Sequence, residues 1–258
     1  MKIDMYVISH KWFKKPKIDC YSSLLVGADF NKADLDLYDN VGDNISKKNK
    51  NYCELTGIYW IWKHSKADVV GVSHYRRYFS KSLFSANEKY FLNCRDINKY
   101  FKNYDVIVPT KRYYKEKVIE AINIAPNMND VIEMEKAISI LEPDYLENFK
   151  KYLSGNECFL YNMCIMKKEI FDKYCQWLFN ILFFIEKDYY VDNNDPYRSR
   201  LFGFLSERLI YVWLKNNVKS NRIKEVRVIK TDESFLWSVK ENCKNMLRNL
   251  VFSIRNIF

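Results

Sequence analysis

Val69-Val70-Gly71-Val72-Ser73-His74-Tyr75-Arg76-Arg77-Tyr78-Phe79 is the stretch on which the rest of the chain turns. It opens as a short apolar run rich in β-branched residues, the signature of a buried strand. It then breaks into a histidine, two arginines and three aromatics. In α/β proteins ligands sit past the carboxyl ends of the strands, and guanidinium forks match phosphate oxygens in pairs. The stretch therefore predicts a phosphate-competent strand end. A solvated basic turn is the competing reading, because paired arginines are common on surfaces.

At roughly 100–200 residues per domain, 258 residues make one large domain, or one domain with an appendage. With 48% hydrophobic residues a core can form without metals or disulfides. The 20 Tyr and 17 Phe exceed what a core alone demands. A large mixed core takes most of them, and a tyrosine-rich rim would suit sugars or lipid headgroups. A formal charge of +10 directs attention to nucleic acid, anionic membrane or phosphorylated ligands. No zinc-ligand spacing, RNA-recognition motif or basic zipper is present, which argues against nucleic acid. The seven cysteines are scattered, with no signal peptide before Met5, and read as reduced, buried cytosolic thiols. No apolar run approaches the roughly 18 residues that span a bilayer.

Residues 3–9 read as a first strand ending in His10-Lys11-Trp12, which would bring His10 and Lys11 to the ligand edge of His74. Asp39 to Ser46 is turn chemistry. Asn51 and Glu54 have capping-box spacing, and Leu55, Ile58, Tyr59 and Trp62 form one apolar helical stripe. The polar turn before that stripe draws interest because helix N-termini bind anions. Two short helices are expected over 85–103, a buried strand over 105–109, and mostly helix over 111–155. Phe159 to Met166 reads as a strand with Asn162 inside it, where asparagine is disfavoured and so has a bulge or a ligand hydroxyl to serve. A strongly apolar helix follows from Lys168 to about Lys187. Residues 188–200 form a polar loop of the size that makes functional lids. The helix opening at Gly203 carries Glu207 and Arg208 in an apolar setting. Glu207 is either a general base or half of an intrahelical ion pair. Residues 225–230 read as the last strand. The tail from Ser234 has an apolar face, with Lys240, Lys244, Arg248 and Arg255 largely off it. It suits an interfacial helix or a subunit contact.

From Asn44 to Lys63, and again over Gly71 to Phe79, the chain resembles bacterial polysaccharide-synthesis glycosyltransferases first catalogued as a domain of unknown function, some of which are galactofuranosyltransferases. Tyr161 to Lys167, Tyr174 to Phe179 and Arg200 to Leu209 agree, so the likeness runs from His10 to about residue 230. The family pattern includes a histidine after the Asp105 strand; this chain reads Asn123 to Asn129 there and has none.

The resemblance implies a GT-A (Rossmann-like) α/β fold over residues 1–233, a mixed sheet flanked by helices, with the amphipathic basic helix 234–258 appended. It implies transfer of a hexose, galactofuranose in some members, from a UDP-sugar to a lipid-linked glycan for O-antigen, capsule or exopolysaccharide. The enzyme would sit in the cytoplasm, peripheral at the inner face of the plasma membrane; a homo-oligomer is left open. The expected donor site comprises His10, Lys11, Asn44, Ser46, Asn49, Tyr52, Glu54, His74, Tyr75, Arg76 and Arg77. Asn162, Met163, Arg200 and Arg208 are expected at the sugar or acceptor, with Glu207 as base and Asp195 in reserve. Most GT-A enzymes end the central strand with an Asp-x-Asp pair that holds a divalent metal. Here it ends in His74-Tyr75-Arg76, with no carboxylate between Asp68 and Glu88. No cofactor and no metal are expected: the cations would neutralise the diphosphate themselves. A metal on carboxylates such as Asp43 or Asp195 is the alternative. The alternative class is a non-catalytic basic module binding anionic lipid or nucleic acid. That module would spread its cations over one face, whereas the enzyme would converge them with Glu207 and Asn162 in one pocket.

Overall fold

The computed structural model describes residues 1–82, 85–121 and 127–232, with Lys244, Leu247 and Arg248 beyond them. The expected amphipathic tail, apart from those three, and Asn123 to Pro126 of the histidine-free stretch lie outside the described residues.

The chain begins with β1 (Ile3–Ser9), β2 (Tyr21–Leu25) and β3 (Leu37–Tyr38). A 3-10 turn leads into α1 (Asn49–Tyr52) and α2 (Leu55–His64), then β4 (Val69–His74), β5 (Arg77–Phe79) and α3 (Cys94–Tyr100). β6 (Val106–Pro109), β7 (Arg112–Tyr113), α4 (Val118–Ala121), α5 (Met128–Leu141) and α6 (Leu146–Ser154) follow. The last part comprises β8 (Glu157–Cys158), β9 (Cys164–Lys167), α7 (Lys168–Asp188), α8 (Leu201–Asn217), β10 (Ile223–Val226) and β11 (Val228–Lys230).

The strand order of the main sheet is β10-β6-β9-β4-β1-β2-β3, with β5 branching from β4 and pairing β11. β4, β1, β2 and β3 are mutually parallel and β9 is antiparallel to both its neighbours. The sheet is thus mixed, as expected. Strands buried on both faces read as near-continuous apolar runs, and β1 and β4 are of this kind. Tyr6 and Ile8 of β1 join the large core under α2, α5, α6, α7 and α8. Ile3, Met5 and Val7 face a second core with Phe79, Phe91 and Ile97. Val70 and Val72 share the first face, so His74 at the end of β4 points to the helical side. The parallel strands β1, β2 and β4 finish together at Ser9, Leu25 and His74. That common edge positions the site.

Several expectations are corrected. Asn51 and Glu54 form no capping box: the chain breaks at Cys53, whose φ is 51°, between α1 and α2, and Glu54 stands at the N-cap of α2. Asn51 instead donates to Asn193 Oδ1 and to the Ser199 carbonyl. Asn162 is not inside a strand. It and Tyr161 adopt left-handed backbone before β9 begins at Cys164. Residues 225–230 are parts of two strands, one parallel to β6 and one antiparallel to β5. α8 starts at Leu201, so Glu207 lies in its second turn rather than at its start. Cys20 and Cys94 are paired across 74 residues, against the expectation of reduced thiols, while Cys53, Cys158, Cys164 and Cys175 are free.

α2 lies close on the sheet at Gly57, where a Cβ would meet Val26 Cγ1 at 2.7 Å and Ile8 Cδ1 at 3.1 Å. Alanine would gain about 1 kcal/mol of helix propensity, but overpacking a tight core costs about 1–3 kcal/mol. Both neighbours are buried and β-branched, hence stiff. Gly57→Ala is therefore expected to lower the urea midpoint, a loss of about 1 kcal/mol. A midpoint at or above wild type would show that the helix can ride higher.

Candidate active site

At the common strand edge lies a cavity of about 520 Å³. Its floor is Ile8, Ser9 and Val26 from the strand ends. Its cations are Lys50, Arg76, Arg77 and Arg200, and its carboxylates are Glu54 and Glu207. His10, Asn49, Cys53, His74, Tyr75, Tyr161 and Phe204 complete the wall.

The two carboxylates are held by one turn. Asn162 Nδ2 donates to Glu54 Oε1 at 2.8 Å and to the Gly203 carbonyl at 3.0 Å. The Tyr161 backbone N–H donates to Glu207 Oε1 at 3.1 Å. Glu207 Oε2 lies 3.4 Å from Arg208 Nη1. Burial raises the proton affinity of both acids; the Asn162 bond opposes it at Glu54, and Arg208 opposes it at Glu207. The non-glycine residues with positive φ among the described residues are Cys53, Tyr161 and Asn162, and all three belong to this cluster. Backbone strain of this kind gathers at functional sites.

The cations converge. Arg77 lies with its guanidinium 4.6 Å from the Tyr161 ring centre. Arg200 occupies the N-cap of α8 and presents along the same helix face as Phe204 and Glu207, four and seven residues on. Arg76 is exposed, packs on Tyr75 and pairs with Asp232 at 2.9 Å. The expected cationic role of His74 is corrected. Burial, with Arg77 beside it, pushes its pKa down to about 3. A hydrogen bond to the Tyr161 backbone supports the protonated form, the behaviour of a ring N–H on a carbonyl. Nε2 has no partner, so that N–H belongs to Nδ1, and Nε2 offers a lone pair. Arg77 Nε is also buried without a partner.

Of the residues singled out in the sequence, His10, Asn49, Glu54, His74, Tyr75, Arg76, Arg77, Arg200 and Glu207 line the cavity. The others do not. Lys11 Nζ lies 5.5 Å from the Tyr75 ring centre. Asn44 bonds within its own turn, and Ser46 is buried on Asp39. Tyr52 is stacked on Phe202 and bonded to Glu186, and Met163 is core. Asn162 and Arg208 stand behind the carboxylates. Asp195 is exposed and accepts from the backbone N–H groups of Tyr197 and Arg198. Sequence reading missed Ser9, Lys50, Cys53, Tyr161 and Phe204. The four-residue spacing from Arg200 to Phe204 was the available signal for the last. Among the described residues no group of three His, Cys, Asp or Glu side chains is placed to hold a metal ion. Nor is any helix long and apolar enough to cross a membrane.

A mixed sheet flanked by helices, with a polar cavity at the parallel strand ends, is a GT-A-like fold. The chain matches, and belongs to, the family described as domain of unknown function DUF4422, over residues 4–218. Among solved structures it is similar to the apo structure of WbbM, a bifunctional glycosyltransferase, with a TM-score of 0.82 and 27% identity. The similarity covers 90% of this chain and 46% of that one, so the chain spans less than half of the protein it matches. No curated protein matches.

The neutral His74 gives a pH dependence. The unfolded chain protonates this histidine below about 6.5, while the folded ring stays neutral to about 3. Its contribution to stability is present above pH 6.5 and is lost as pH falls toward 3. His74→Asn should flatten the loss of stability between pH 6.5 and 5, read as urea midpoints. An unchanged slope would mean that the ring charges in the folded protein.

Proposed function

We propose that this protein moves a hexose, galactofuranose being the first candidate, from a UDP-sugar to a lipid-linked cell-surface glycan without a divalent metal. The observation that carries this reading is the convergence of Arg76, Arg77 and Arg200 with two carboxylates in one cavity, rather than a spread of cations over a face. The similarity to WbbM, a bifunctional glycosyltransferase, supports it. That protein is bifunctional and this chain covers 46% of it, which fits one of two transfer activities. Lipid linkage of the acceptor, and work at the inner face of the plasma membrane, rest on the family resemblance.

In this reading Arg77 and Arg200 hold the donor diphosphate, with Arg76 at the rim. Arg77 lines the cavity, and the phosphate oxygens would meet its guanidinium charge there. His74, neutral, lines the cavity beside Arg77. Glu207 takes the proton of the acceptor hydroxyl as its oxygen attacks the anomeric carbon. The bond from that carbon to UDP breaks, and its electron pair leaves on the diphosphate, where the arginines stabilise the charge. The raised proton affinity of Glu207 suits a base working near neutrality. Asp195, outside the cavity and occupied by two backbone N–H groups, is the weaker candidate.

A screen of UDP-sugars with release of UDP as readout tests the reading; no release with any donor would end it. Glu207→Gln is expected to cut turnover by about 10²- to 10⁴-fold with UDP affinity unchanged. Wild-type turnover in that variant would remove Glu207 from the role.

Metal independence has its own measurement. In this reading the cavity's cations take the part a metal would play on the diphosphate, and arginine has no lone pair to ligate one. Exhaustive EDTA treatment should leave turnover intact. Loss with EDTA and rescue by manganese would contradict this.

A further inference from the structure

Several exposed apolar side chains of the described residues follow the strand ends on the cavity edge, while Met1 lies at the other end of β1 and Met128, Ile132 and Ile140 lie on α5. Trp12 is 67% exposed and Phe30 68%; they follow the carboxyl ends of the neighbouring parallel strands β1 and β2. Exposed Val41 follows β3, and exposed Tyr190 and Tyr197 stand on the loop that ends at cavity-lining Arg200. Exposed apolar residues scattered singly need no explanation, but a group of them marks an interaction site.

Charge identifies the partner. Lys11-Trp12-Phe13-Lys14-Lys15-Pro16-Lys17 carries four lysines and no acid. Lys15 is engaged with Asp36 at 2.5 Å, whereas Lys11, Lys14 and Lys17 are exposed. Phe30 lies between Asp29 and Lys32, so its contribution is apolar and the charge comes from the lysine segment. Neither Trp12 nor Phe30 lines the cavity or the adjoining recess at Tyr75 and Tyr78, so neither is a wall of a small-ligand site. Tryptophan settles at the headgroup level of bilayers, long lysine stems lie along apolar surface with their charges outward, and juxtaposed lysines are drawn to anionic lipid.

We propose that this edge docks on an anionic lipid bilayer, with Trp12 and Phe30 entering the headgroup layer and Lys11, Lys14 and Lys17 lying on its negative charge. The docking does not depend on the reaction. If the function proposed above holds, it brings the cavity mouth to a lipid-linked acceptor without any need for the tail.

The test is sedimentation of the full chain with phosphatidylglycerol–phosphatidylcholine vesicles and with phosphatidylcholine alone. Binding to the anionic vesicles, weakened by added salt, is expected. The double variant Trp12→Ala, Lys14→Glu should bind several-fold less while keeping the wild-type thermal midpoint and UDP affinity. A second double variant, Phe30→Ala with Lys17→Glu, should do the same. Wild-type sedimentation with both double variants would overturn the proposal, as would equal binding to neutral vesicles. Loss of binding only on deleting residues 234–258 would also overturn it. UDP binding is read separately, so failure of the docking and failure of the transferase reading remain distinct.

Discussion

The hydrogen bond from Asn162 Nδ2 to Glu54 Oε1, 2.8 Å long, ties two strained pieces of backbone together. Cys53 is held left-handed on one side of it, Tyr161 and Asn162 on the other. Such positions cost about 1–3 kcal/mol each and persist only where the surroundings over-determine them. Here the surroundings are α8 and the sheet. The Gly203 carbonyl takes the second Asn162 proton, and a Cβ on Gly203 would lie 3.3 Å from Cys53 Cβ. The same turn gives its Tyr161 N–H to Glu207 and its ring to Arg77. Both acids of the cavity, and Arg77 with them, thus hang on one clasp.

A second set of bonds holds the other wall. Asp130, fully buried at the start of α5, accepts from both Nη atoms of Arg198, at 2.5 and 2.8 Å, and from Tyr189 OH at 2.6 Å. Tyr189 begins the 189–200 loop and Arg198 comes near its end, so one carboxylate fastens both sides. A buried carboxylate is tolerated when it is so paired. Arg198 and Tyr189 hold its pKa below the usual carboxylate range against the burial that raises it. Asn51 closes the remaining gap with bonds to Asn193 and Ser199. The loop delivers Arg200 to the cavity on a rigid support.

Much of this was legible where periodicity carried it. β1, β4 and α7 follow from apolar runs and a helical stripe, and the cationic end of β4 does reach the cavity. What failed to show was long-range. Asn162 was expected in a strand because its apolar neighbours read as one; the left-handed turn comes from its bonds to Glu54 and Gly203, 108 and 41 residues away. Tyr52 and Ser46 belong to a polar segment that promised ligand contact, yet their partners, Glu186 and Asp39, occupy them. His74 has the residue type of a cation, but burial beside Arg77 leaves it neutral. Burial and partnership belong to the folded chain, and a linear reading has no access to them.

The central claim is that the Arg77–Arg200 cavity takes the diphosphate of a sugar nucleotide. Calorimetric titration of the protein with UDP, without divalent metal, tests this directly. UDP should bind to one site in the wild-type chain, and Arg77→Ala and Arg200→Ala should each weaken it about tenfold or more, as loss of a charge-assisted pair costs. No binding, or wild-type affinity in both variants, would contradict the account.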